Sequence, residues 1–450
     1  MYPIIDKIIG FFSKKSPFLF HTPRAETFGN CAEELLFGLL RAQHEHKKIL
    51  FLSPKNIFFK KVVANQKLFH ICSPYTVRNY AISCVGGWLF TLVIALMWVR
   101  TRPSLGKIRR IFRTFRRIHP QKSHRSTFDF FHMSPTIGRS NLWKPEGVNN
   151  FSWDNVNEQN WGQQYTEFIP PRLRGNDCRH TEHLKLQMGI PSNDWFACVH
   201  VRESGYHNDR EIYRNASIGN YVEAIQAITR AGGWVVRIGD SSMVPLDSME
   251  HVIDYPHTRF KSELMDIYLL SHCRLFLGIN SGPYDVATLF KRPVLLVNSP
   301  EWSIGFPMRM GDLAITKHIF SVSRDRFLSV SEILAEPHSI QVFSSLPDEY
   351  VMVENTPQEI RELVEEFLGK NEGQEYSDLQ NAFNEGRRKQ IHQWLDQESS
   401  SDGLSEAALV EKYRIAAHCE IAAGTLGKTY LEQNWIVDKL QVPSPKPPIL

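Results

Sequence analysis

Three clusters of polar residues in this 450-residue chain each follow a short apolar run, and together they have the chemistry of an anion site. The first holds His200, Arg202 and Glu203, with Asp209, Arg210 and Arg214 shortly after. The second holds Arg237, Gly239, Asp240 and Ser241, and the third is Gly278-Ile-Asn280-Ser281-Gly282-Pro283. Asn-Ser-Gly with Pro at the first helical position leaves backbone N–H groups open at a helix start, where the helix dipole also favours negative charge. Guanidinium groups from the first cluster would close over the same anion through paired hydrogen bonds. A diphosphate suits such a site. Arg202, Arg214 and the Ser281–Gly282 helix start would then steady it as a leaving group. Asp240 and Ser241 would hold ribose or phosphate hydroxyls, with Arg237 and Asn280 in the same donor-binding set.

Each of these residues also has a structural alternative. Arg202 follows a buried strand and could be neutralised by Glu203 or Asp209. His200, still on the strand, reads first as a hydrogen-bonded residue that orients the loop and second as a catalytic group. Asp240 and Ser241 could simply form a turn. No Asp-x-Asp triplet occurs in the chain, which disfavours a single-domain, manganese-dependent design and sets the expectation of no metal.

The elements that must carry these clusters are legible between residues 196 and 300. Phe196–Val201, Trp234–Val236, Leu275–Ile279 and Pro293–Val297 are continuous apolar runs, as expected of strands covered on both faces, and a further strand is expected to end at Asp254. Ile218–Thr229, Lys261–Ser271 and Pro283–Phe290 carry apolar residues near helical spacing between them. The alternation predicts a doubly wound α/β unit, whose ligands lie at the carboxyl ends of its strands.

The runs His200-Val-Arg202-Glu203-Ser-Gly-Tyr206, Tyr213-Arg214-Asn215 to Tyr221, Val236-Arg237-Ile-Gly-Asp240 and Leu277-Gly-Ile-Asn280-Ser281-Gly282 resemble a family of bacterial glycosyltransferases from surface-polysaccharide loci. More distantly, His-x-Arg after a strand and the Gly-x-Asn-Ser-Gly turn are similar to the fucosyltransferase branch. The resemblance implies an α/β enzyme with two Rossmann-like doubly wound domains (GT-B type) that moves a sugar from a nucleotide-sugar donor to a lipid-linked or glycan acceptor; another two-domain nucleotide-sugar enzyme such as an epimerase, or a membrane-bound nucleotide-binding scaffold without turnover, is the alternative. The fucosyltransferase pattern places an acid three residues after the arginine, and here that position is Gly205, so the donor sugar does not carry over. Asp209 is the substitute.

An N-terminal acceptor domain is expected over residues 16–190. Phe18-Leu-Phe20, the helical run Cys31–Gln43 and Lys48–Leu52 read as its opening strand, helix and strand. Arg24, Glu26 and Asn30 then face the acceptor, and Glu26 joins Asp209 as a candidate base. Glu26 and Asn30 serve equally well as helix-capping residues. The nucleotide-sugar domain is expected over 191–370 and a charged helical tail, folding back onto the first domain, over 371–450. Thr356, Pro357 and Glu359 form a capping box. The resemblance adds a lesser role for Glu359 as a donor contact.

The net charge of +4 is small for the length, but its placement is uneven. Ala81–Val99 carries no charge, and ten Lys and Arg residues follow between Arg100 and Arg125 without one acid. Ile108, Ile111, Phe112, Phe115 and Ile118 recur within that run at helical spacing. A helix with one apolar and one basic face suits an anionic lipid surface better than nucleic acid. Residues 81–125 are therefore expected to dip into the cytoplasmic face of a bacterial inner membrane, because a single crossing would separate the two domains; a true span and a buried core helix of the N-terminal domain are the alternatives for Ala81–Val99. The short N-terminal helix is expected to be peripheral. Ser126 to Pro191 reads as an aromatic-rich connector with one short helix. Seven scattered cysteines make neither a disulfide framework nor a zinc pattern.

Overall fold

Continuous apolar strands need cover on both faces, and the chain supplies it with helices before, between and after them. The computed structural model describes residues 16–25, 27–52, 63–76, 88, 142–203, 212–336, 347–369, 375–399 and 404–436. Glu26, Asp209 and all of 81–125 except Trp88 lie outside these residues, as do the expected N-terminal helix and the Pro-rich end.

The first unit is β1 (Phe18–His21), α1 (Phe28–His44) and β2 (Lys48–Phe51), with β1 and β2 paired in parallel. Two helices lie where a connector was expected, α2 (Trp153–Gln159) and α3 (Trp161–Thr166), and α4 (Gly175–Gln187) overlaps the one short helix expected there. The aromatic residues explain the difference. Trp143 and Trp161 are buried against Phe37 of α1, with ring centroids 4.1 and 5.4 Å away, so these segments bury their rings in the core rather than bridging it.

The main sheet is built from β3 (Phe196–His200), α5 (Val222–Arg230), β4 (Trp234–Arg237), β5 (Val252–Asp254), α6 (Glu263–His272), β6 (Leu275–Gly278), α7 (Gly282–Leu289), β7 (Val294–Ser299) and β8 (Leu313–Thr316). A small antiparallel sheet of β9 (His318–Ser321), β10 (Arg326–Phe327) and β11 (Tyr350–Val353) follows, with α8 (Val330–Ala335) inside it in sequence. The tail supplies α9 (Pro357–Gly369), α10 (Asp378–Ser399), α11 (Glu406–Ile421), β12 (Thr425–Leu426) and α12 (Lys428–Asn434).

Seven strands lie in the order β12-β8-β7-β6-β3-β4-β5, and every pairing is parallel. The chain runs outward from β3 through β4 to β5, then crosses back to β6 and runs outward the other way. That order is the Rossmann-like one, and it opens a crevice where the direction reverses, between the carboxyl ends of β3 and β6. All residues of β3, β6 and β7 are buried, each large apolar side chain contributing about 1.5–3 kcal/mol. The closeness of β3 and β6 is fixed at Gly278, where a Cβ would lie 2.5 Å from the His200 carbonyl oxygen.

Among the described residues the first unit has two strands, and its helix α1 packs directly on α7 of the main sheet. One continuous core joins the two regions. Among the described residues no helix is long and apolar enough to cross a membrane.

Candidate functional site

The register brings the first and third clusters together. His200 pairs with Gly278, so Arg202 and Asn280, each two residues further on, leave adjacent strands at the reversal point. Arg202 is 5 % exposed, and its carbonyl accepts the Ala216 N–H at 2.9 Å. That bond folds the loop back and places Arg214, whose Nε donates to the Asn280 carbonyl at 3.1 Å and whose Nη2 reaches the same oxygen. Asn280 is held in turn. Its Nδ2 donates to Ile304 O at 3.2 Å, and its Oδ1 accepts from Ser299 Oγ at 3.1 Å.

Two helix starts meet at this point. Ser281 is the N-cap of α7 but its side chain caps nothing, and its Oγ is buried without a hydrogen-bond partner among the described residues. Thr27 is the N-cap of α1 and likewise makes no side-chain cap. Gly29 and Gly282 bring the two starts into contact, since a Cβ on Gly29 would lie 2.9 Å from Gly282 Cα and 2.4 Å from Asp285 Oδ2. Each start carries open N–H groups and a partial positive charge. Two such ends side by side repel unless negative charge lies near them.

Negative charge is near, in a cluster that the sequence did not single out. Glu33 of α1 is 4 % exposed and is gripped by the tail helix α11. Arg414 donates to both its oxygens at 2.6 and 3.0 Å, and His418 Nε2 approaches at 2.6 Å. Burial alone would raise the Glu33 carboxyl, but the charge of Arg414 and these hydrogen bonds outweigh it and hold the group well below the usual carboxylate range. Asp285, in the first turn of α7, behaves oppositely. Burial and then the charge of Glu33 push it up to about 8, against the pull of Arg414 and Arg214. Burial also raises Glu301, beyond β7, although Ser303 Oγ donates to it at 2.6 Å. Lys317, just past β8, donates to the Asn215 carbonyl at 2.7 Å. Glu33, Asp285, Arg414 and Lys317 carried no local signal.

The remaining candidates have internal roles. Arg237 is fully buried, 2.7 Å from Glu203 and 3.2 Å from Asp254, and it also donates to Val244 O at 2.6 Å. His200 Nδ1 donates to the Ile238 carbonyl at 2.8 Å, and burial pulls its pKa down to about 4 against that bond, so the ring is neutral at physiological pH. Asp240 accepts the Ser242 N–H at 2.8 Å, forming the turn, and Ser241 is exposed. Glu359 completes the capping box with Thr356, whose N–H it accepts at 2.8 Å, and also bonds His318 at 2.9 Å.

No family model matches the chain, and no curated protein matches it. Among solved structures it is similar to part of TibC, a dodecameric iron-containing heptosyltransferase in complex with ADP-D-beta-D-heptose, at 19% identity with a TM-score of 0.17. The likeness covers 24% of this chain and 29% of that one.

Proposed function

We propose that the chain is a GT-B type glycosyltransferase, moving a sugar from a nucleotide-sugar donor to a lipid-linked or glycan acceptor without a metal. The observation that carries this reading is the pair of helix starts without side-chain caps at the strand-order reversal, with the orphaned Ser281 Oγ at the start of α7 and Arg214 on the neighbouring carbonyl. Backbone amides, a hydroxyl and guanidinium groups converging at the carboxyl ends of parallel strands suit a diphosphate better than a neutral ligand. The sequence resemblance over residues 196–300 supplies the sugar-transfer chemistry. Glu26, from the expected acceptor-facing loop, and Asp209, as the substitute acid, are candidate bases. In the donor-binding set Arg202, Arg214, Asn280, Ser281 and Gly282 contact the donor. Arg237, His200, Asp240 and Glu359 support the surrounding turns and strands, and Ser241 is left for the ribose.

A thermal-shift series with UDP, GDP, dTDP and CMP, followed by assay of the matching nucleotide-sugars, tests the reading. One nucleoside diphosphate should raise the melting temperature, since ligand at a hundred times its Kd adds about 2.7 kcal/mol of stability. Failure of every nucleotide to shift it would contradict the assignment.

The basic segment 81–125 would bring the enzyme to its acceptor at the inner-membrane surface, each Lys or Arg adding on the order of 1 kcal/mol. Deleting it should move the folded protein from the membrane pellet to the soluble fraction; a folded deletion variant that stays in the pellet would refute the membrane role.

A further inference from the structure

Asn280 sits between the two halves of the anion site. Its carbonyl receives Arg214 Nε at 3.1 Å and Arg214 Nη2 as well, and the next residue, Ser281, is the N-cap of α7. The Asn280 side chain is buried, and the loop after β7 holds both of its ends. Its Nδ2 donates to Ile304 O at 3.2 Å, and Ser299 Oγ, 2.7 Å from Glu301 O, also reaches Oδ1 at 3.1 Å. A carbonyl oxygen only accepts, so the amide nitrogen must face Ile304 and the amide oxygen must face Ser299. Gly305 leaves room for that amide: its φ is +70°, and a Cβ there would lie 3.2 Å from Nδ2. The loop is fixed on its far side in turn. Phe306 O accepts from Tyr284 Oη at 3.0 Å, Trp302 Nε1 donates to Gln390 Oε1 on α10 at 3.0 Å, and Trp302 O accepts from Arg387 Nη1 at 3.3 Å.

We propose that the side chain of Asn280 is a positioning group for donor binding: it fixes the carbonyl on which Arg214 docks, and so sets that guanidinium against the start of α7. The proposal rests on the diphosphate reading above. The amide acts through Arg214, since both its ends are engaged by the β7 loop, and contact with the donor is left to the backbone of Asn280. An amide suits the place because one end must donate and the other must accept. Aspartate has the same shape but, when ionised, offers only acceptors; it would set negative charge against the Ile304 carbonyl and release the turn. Protonated, it donates its one hydrogen to Ile304 O and accepts from Ser299, as asparagine does.

The test is calorimetric titration of the nucleoside diphosphate found by the screen into full-length wild type, Asn280→Ala, Asn280→Asp, Arg214→Ala and the double variant Asn280→Ala/Arg214→Ala. Asn280→Ala should weaken the diphosphate by about 10-fold, as expected when one charged hydrogen bond is misplaced. An effect that acts through Arg214 adds nothing once Arg214 is gone, so the double variant should bind as Arg214→Ala does, within about twofold. Asn280→Asp should bind weakly at about pH 8. Relative to wild type at the same pH, it should recover as pH falls through the range where a carboxyl buried beside a carbonyl takes up its proton, above the ordinary value of about 3.9. Asn280→Ala should show no such recovery. Should Asn280→Ala fold poorly, the Asn280→Asp profile and its own cycle with Arg214→Ala decide the matter. Wild-type affinity in Asn280→Ala, losses that multiply in the double variant, or an Asn280→Asp no tighter than Asn280→Ala at any pH would each overturn the proposal while the diphosphate reading stands. A wild type that binds no nucleoside diphosphate overturns that reading and this proposal with it.

Discussion

At the end of β4, Arg237 meets Glu203 and Asp254 within 3.2 Å and gives a further hydrogen bond to Val244 O. Two strands away, at the end of β6, and among the described residues, Ser281 Oγ is buried without a partner, neither helix start has a side-chain cap, and burial and nearby charge act on Asp285. Both places lie at the carboxyl edge of one parallel sheet and both carry arginine. On the β4 flank both ends of the buried guanidinium fork meet carboxylates and a carbonyl, and only Arg237 Nε is left without a partner among the described residues. At the reversal point the polar groups are not matched in this way, and the deficit is of one kind: donors and positive ends, next to a carboxyl set apart from them. The first arrangement holds the sheet together, and the second is what an anionic ligand would complete.

The comparison is sharpened by removing the two arginines in turn. The larger effect is expected on the β4 flank. Arg237→Ala leaves Glu203 and Asp254 without their countercharge and should cost about 3–5 kcal/mol of stability. Denaturant unfolding measures this, and a loss within about 0.5 kcal/mol, the range of an ordinary surface change, would break the contrast. Arg214 is only partly buried, so its removal should affect the fold less than the loss of Arg237 and should act chiefly on ligand affinity.

The main sheet was legible because its strands are apolar on both faces: Phe196–His200 and Leu275–Gly278 announce themselves without any partner in view. Two other features were not. Strand β12 is two residues long, and its pairing with Leu313 and Ala314 is decided by where the tail helices carry it. The grip of Arg414 and His418 on Glu33 spans more than 380 residues, beyond any local pattern. Asp285 illustrates the same limit at the site. In sequence it is a carboxylate in the first turn of a helix, where the dipole favours it, and only the packing of α1 on α7, which buries it and adds the charge of Glu33, raises its pKa. Arg237 was readable as a ligand contact because it ends a strand. The correction lay in Asp254, which ends the neighbouring strand in the register directly opposite. Thr356 and Glu359 show the reverse, a capping box read from spacing alone and found in place, with His318 added from β9.

The central claim is that a diphosphate lies between the guanidinium groups behind β3 and the start of α7, and calorimetric titration of the best nucleoside diphosphate into wild type and Arg214→Ala tests it most directly. Loss of a charged hydrogen bond of about 1.5–3 kcal/mol should weaken the diphosphate on the order of 10- to 100-fold, while the corresponding nucleoside loses little. Equal affinities for the two proteins, or an equal loss for diphosphate and nucleoside, would contradict it.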